Sequence, residues 1–157
     1  MAGNRHAERR RRVHASRLRG DEGAALVEFA LILPFLAVVA FGTIDLGRSY
    51  ELKNAVTNMA REGAFVAMSN PCPPTAAITA ARNENPDLAD EVDVKIVEGT
   101  STSGSTITCD PNSQYTDLTV VVTTKMQVIT PLVGAIVGNE VTITGSATVK
   151  APHREDP

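Results

Sequence analysis

The chain has 157 residues and a net charge of −3, with no tryptophan and two cysteines. Setting aside the first 44 leaves about 110 residues, enough for one domain with a modest core built from Val, Ile, Leu and Ala. Histidines occur only at positions 6, 14 and 153, and no glycine-rich phosphate loop or metal-ligand spacing appears. Nothing in that inventory points to an enzyme, a cofactor, a metal or a small-molecule substrate.

The charge is unevenly spread. Residues 1–19 carry seven arginines (Arg5, Arg9, Arg10, Arg11, Arg12, Arg17, Arg19) against Glu8, a local +6, so the remainder carries −9. Arginines can pair with nucleic-acid phosphates, but no stacking aromatic lies among them, and nucleic acid is not an expected partner. A basic cluster directly before an apolar run is what retains an N-terminus in the cytoplasm. The same charge suits anionic lipid head groups. Residues 1–23 therefore read as a basic cytoplasmic leader.

Residues 24–42 are apolar except for Glu28 and Pro34. At 1.5 Å per residue, a helix over 24–44 reaches about 30 Å, the hydrocarbon thickness of a bilayer. The run is longer than the apolar core of a cleaved secretory signal, and no Ala-x-Ala follows it. An uncleaved anchor, or one cut at its front end, fits better. Pro34 removes a backbone donor in mid-span and is expected to bend the helix. Glu28 has two readings. It snorkels to the cytoplasmic head groups, or it is a buried carboxylate awaiting a cation from a partner.

Residues 45–150 read as an extracytoplasmic α+β domain. Leu52, Val56, Met59, Gly63 and Val66, with Ala60, Ala64 and Ala67 beside them, make one apolar face of a helix over 45–69. Asn70-Pro71-Cys72-Pro73-Pro74 stops it. Thr75 is placed to cap a short helix over 76–83. Alternating apolar and polar residues predict strands over 92–97, 118–129 and 141–150, with a short edge strand at 107–109. The expected sheet is antiparallel, wet on one face and dry on the other, with the 45–69 helix covering the dry face. The apolar connection 131–138 is either a buried bend or an exposed patch for a partner or a membrane surface. Residues 151–157 read as a disordered tail. Outside the cytoplasm, Cys72 and Cys109 suit a disulfide worth roughly 3–4 kcal/mol by loop closure, and two separate thiols are the other reading.

The run Gly23-Ala24-Ala25-Leu26-Val27-Glu28-Phe29-Ala30-Leu31-Ile32-Leu33-Pro34 closely resembles the N-terminal signature of the TadE-like proteins, minor pseudopilins of the tight-adherence (Flp-type) pilus machinery. The stretch Ala60-Arg61-Glu62-Gly63-Ala64 is similar to a second segment of that family. The pattern Val141–Val149 also looks like theirs. The resemblance implies a pilin-like, non-catalytic protein of the bacterial cell membrane, single-pass with its N-terminus inside. It implies cleavage by a prepilin peptidase between Gly23 and Ala24. Glu28 would then be the fifth residue of the mature chain, followed by Phe29, and would pair with the free amine of a neighbouring subunit. Pro34 would be a kink in the assembling helix bundle. Other pilus subunits and assembly-platform proteins are the implied partners. The alternative is an uncleaved anchor carrying an extracytoplasmic binding domain.

Overall fold

The computed structural model describes the backbone of residues 5–109 and 115–151, and side chains from residue 23 onward within those ranges. The expectations for the arginine side chains of the leader and for the tail beyond Ala151 lie outside the described residues. The element order is α1 (Arg5–Ser69), α2 (Thr75–Glu84), β1 (Asp93–Glu98), β2 (Asp117–Gln127), α3 (Pro131–Val137) and β3 (Glu140–Lys150). The fold is α+β. The chain separates between Thr43 and Ile44 into two units, each described by itself below.

The second unit is built on a three-stranded antiparallel sheet of order β1-β2-β3. β2 is central. It pairs with β1 from Asp93↔Thr123 to Glu98↔Leu118 and with β3 from Asp117↔Lys150 to Gln127↔Glu140. The dry face carries Val94, Ile96, Leu118, Val120 and Val122, and the α1 stripe supplies Val56, Met59, Ala60, Ala64 and Ala67 to the same core. Ala77 and Ala81 of α2 complete it. Fully burying one such aliphatic side chain contributes about 1.5–3 kcal/mol, so this stripe is what fixes α1 to the sheet.

Small residues set how closely the layers approach. A Cβ at Gly63 would lie 3.1 Å from the Ala77 carbonyl oxygen and the Ala81 methyl. At Gly145 of β3 it would lie 2.5 Å from the Thr57 nitrogen and the Val56 carbonyl carbon. The helix backbone thus rests directly on the strand, the usual reason for a glycine inside a strand. Beside this crossing the Lys53 ammonium donates to the Thr144 carbonyl.

Four expectations are corrected. Thr75 is the first residue of α2 and not its cap: Pro74 occupies the cap position in helical geometry, with no side-chain hydrogen bond. Its carbonyl receives the Ile78 N–H at 3.0 Å, so the turn forms without a hydroxyl. Residues 107–109 do not form an edge strand. The chain makes one bridge, Val97↔Thr106, with Glu98 N–H to Ser105 and Ile107 N–H to Ile96, both at 3.0 Å, then leaves towards Cys109. β2 ends at Gln127 and not at Ile129: the Val128 N–H still reaches the Asn139 carbonyl at 3.0 Å, but those of Ile129 and Thr130 go elsewhere, as described below. Finally, the second face of β2 is not uniformly wet, since Thr119 and Val121 are buried. The Thr119 hydroxyl donates to the Gly99 carbonyl at 2.6 Å and meets the Thr148 hydroxyl at 2.8 Å. Gly104 packs against Val97 on β1. The polar 99–106 loop therefore folds over a face that alternation alone assigns to water.

Of the two readings of residues 131–138, the exposed patch holds. The segment is α3, about two turns, with proline at its start as helix N-termini favour. Gly134 is its buried residue, whereas Leu132, Ile136 and Val137 face outwards.

Candidate functional site

The first unit is dominated by the apolar part of α1. From Gly23 to Leu36 every residue is exposed, Leu26, Phe29, Leu31, Phe35 and Leu36 among them. No residue of its most apolar 18-residue window is buried. A helix apolar all round and unburied by its own protein matches hydrocarbon and not water. Its length and composition are sufficient to cross a membrane.

The residues singled out from the sequence sit along this surface. Gly23 and Ala24 are exposed positions inside a continuous helix, and a Cβ at Gly23 would meet nothing. Glu28 and Phe29 are exposed neighbours five and six residues beyond Gly23. Glu28 takes part in none of the ion pairs found among the described residues. Pro34 lies within α1 and does not end it. The structure gathers these residues on one helix.

Just beyond the apolar run lies a contact that sequence reasoning missed. Asp45 is only 5% exposed. Its two carboxylate oxygens each accept one backbone N–H, from Ile129 at 3.1 Å and from Thr130 at 2.9 Å. Arg48, one turn on, lies 3.8 Å from the same carboxylate and donates to the Gln127 carbonyl at 3.3 Å. The Thr130 hydroxyl, then the Ile129 and Thr130 amides, hold the Asp45 carboxyl below its ordinary range. Desolvation opposes them, and the Arg48 charge adds the smallest contribution. The hydroxyl is buried without completing a hydrogen bond among the described residues, so the paired amide bonds are the firm part of this clamp. It ties the start of the domain to the chain that enters α3. A lone carboxylate directly after an apolar run was the available signal, but its partners lie more than 80 residues away and nothing local announces them.

Cys72 and Cys109 are brought together with Cα atoms 5.7 Å apart and sulfurs at 2.22 Å, the arrangement of a disulfide. The bond links the turn after α1 to the end of the 99–109 segment. Nearby, the Tyr115 hydroxyl donates to the Thr108 carbonyl. Among the described residues no group of acidic, histidine or cysteine side chains is arranged to hold a metal ion.

One comparison bears on the family resemblance. Residues 23–64 match the model of the TadE-like protein family. The TadE-like match begins at Gly23, takes in the exposed apolar helix, Glu28, Phe29, Pro34 and Asp45, and ends on the buried stripe at Ala64. Within its last residues Ala60, Gly63 and Ala64 are buried while Arg61 and Glu62 are exposed, so packing accounts for the small positions of that stretch. The Val141–Val149 likeness lies outside the matched segment. The TadE-like family is pilus-associated and is not an enzyme family. Neither a search of curated proteins nor one of solved structures finds a match. The matched segment and the apolar helix together fit a membrane-anchored, pilus-associated protein.

Proposed function

We propose that this chain is a minor pseudopilin or assembly factor of a tight-adherence (Flp-type) pilus. The observation that carries the reading is the coincidence of the TadE-like match with an unburied apolar helix holding one carboxylate, Glu28, near its front end. Residues 1–23 are a cytoplasmic leader, 24–44 cross the membrane and 45–150 lie outside the cytoplasm. A prepilin peptidase cuts between Gly23 and Ala24. The new amine of one subunit then faces Glu28 of the next. A carboxylate in lipid costs about 2.5–3.5 kcal/mol on insertion scales, and a cation at its side offsets much of that. The Cys72–Cys109 bond accords with an oxidising extracytoplasmic compartment.

The test is intact mass and N-terminal sequencing of membrane-extracted protein, with and without the peptidase, for the native chain and Glu28→Gln. The expected outcome is a chain beginning at Ala24 only when the peptidase is present. Glu28→Gln is expected to be cut normally and to fail to co-purify with other pilus subunits. A chain that keeps its leader under both conditions, with pilus assembly indifferent to Glu28, would leave an uncleaved anchor with an extracytoplasmic binding domain.

A further inference from the structure

The second unit presents one apolar prominence for which its own core has no use. Between Val128 and Asn139 there is no charged residue. Ile129, Leu132, Ile136 and Val137 are all more than half exposed, Ile136 at 79%. The nearest charges are internally matched: Arg48 with Asp45, and Lys125 with Glu140 at 2.7 Å. The patch is therefore apolar and close to neutral at its rim, which favours an uncharged apolar occupant and gives no handle for a charged one.

Its position identifies that occupant. The clamp fixes Ile129 and Thr130, immediately before α3, to Asp45, one residue past the end of the 24–44 span. Contacts then follow in order along the helix: Arg48 on Gln127, Lys53 on Thr144, Thr57 against Gly145, and Gly63 against Val120. The end of the sheet bearing α3 is thus the end at which the helix enters the domain. The 99–106 loop is at the other end of β2, roughly 33 Å away for an 11-residue strand.

We propose that α3 is an interfacial foot: Leu132, Ile136 and Val137 enter the boundary between head groups and acyl chains of the leaflet from which α1 emerges. The inference rests on the reading of residues 24–44 as the membrane span. Burial of these side chains follows the ordinary area dependence of apolar transfer. With no basic residue in the segment, seating is independent of anionic lipid and of salt.

The chain's lack of tryptophan supplies a clean probe. Three single variants of the full-length protein, Ile136→Trp, Ser103→Trp and Leu36→Trp, are reconstituted in phosphatidylcholine nanodiscs, with and without acyl-chain-brominated lipid as quencher. All three positions are exposed, so the larger ring is accommodated, and retention of the disulfide by mass checks folding. The expected result is a blue-shifted emission and loss of most of its intensity to brominated lipid for Ile136→Trp and Leu36→Trp. Both effects are unchanged at high salt, and Ser103→Trp shows neither. An unquenched, water-like emission from Ile136→Trp beside a quenched Leu36→Trp overturns the foot and leaves the span intact. Leu36→Trp unquenched overturns the span reading and the foot with it. A blue shift at Ile136→Trp without quenching, growing with protein concentration, assigns the patch to a second copy of the chain and also overturns the proposal.

Discussion

Gly145 and Asp45 do at single positions what the surrounding pattern only permits. Gly145 lets the α1 backbone lie on β3. Gly145→Ala places a methyl 2.5 Å from the Thr57 nitrogen and from the Val56 carbonyl carbon, and both obstacles are backbone, which cannot swing aside. The helix must lift off the strand, so the expected loss is about 1–3 kcal/mol, the usual cost of overpacking a well-filled layer. Denaturant melts of the full chain in detergent read it directly. Ser146, one position on and outward-facing, is the matched control, and Ser146→Ala is expected to be near neutral. Asp45 carries a pH signature. Its folded-state carboxyl titrates below its ordinary value, about 3.9 in the unfolded chain. The stability it contributes is therefore complete above that value and is lost as pH falls through the lower folded value. Thermal melts at neutral pH and at about pH 3, compared between the native chain and Asp45→Asn, are expected to show the smaller acid-induced drop for the variant. An equal drop in both would mean that the carboxylate charge has no part in the clamp. Neither residue announces itself in the sequence: Gly145 is a gap in an otherwise regular alternation, and Asp45 is one more polar residue at the edge of an apolar run.

Among the elements, legibility follows periodicity. Of the stripe read from the spacing, Val56, Met59, Ala60, Gly63, Ala64 and Ala67 are buried and Leu52 and Val66 are half-buried, because one helix face and one sheet face must cover each other. Strands β1 and β3 are within a residue or so of their alternating runs, since their polar residues stay outside. Alternation misleads where covering comes from a loop. Thr119 looks solvent-facing because it is polar, yet its hydroxyl is satisfied by the Gly99 carbonyl and the Thr148 hydroxyl, and a satisfied hydroxyl is inexpensive to bury. Likewise α3 reads equally as bend or patch, because seven apolar residues without polar neighbours have no period to interpret. Only the long-range bonds to Asp45 show which end of the domain it occupies.

At the scale of the whole molecule, the two units divide the physical work. The first is an apolar helix whose character is plain from composition. The second is a self-sufficient core: every member of its buried cluster, from Val56 to Leu118 and Val122, lies after residue 44. A fragment of residues 44–151, expressed in an oxidising compartment, is therefore expected to fold without the span. It should give one cooperative melt and an intact Cys72–Cys109 bond. A fragment lacking a cooperative transition would show that the first unit is needed for folding. Cutting at 48 in place of 44 removes Asp45, and is expected to loosen residues 128–139 while leaving the core in place, a difference readable by hydrogen exchange across that segment.

The Lys53 contact with β3 has a further consequence. In a sheet of three strands the two outer margins are exposed templates on which any passing extended chain could add itself. Here Lys53 occupies the Thr144 carbonyl on one margin, and the Glu98–Ser105 and Ile107–Ile96 bonds occupy the other. Under the proposed pilus reading, copies of such a domain would be crowded together. An ammonium seated on that margin opposes the addition of a further strand there.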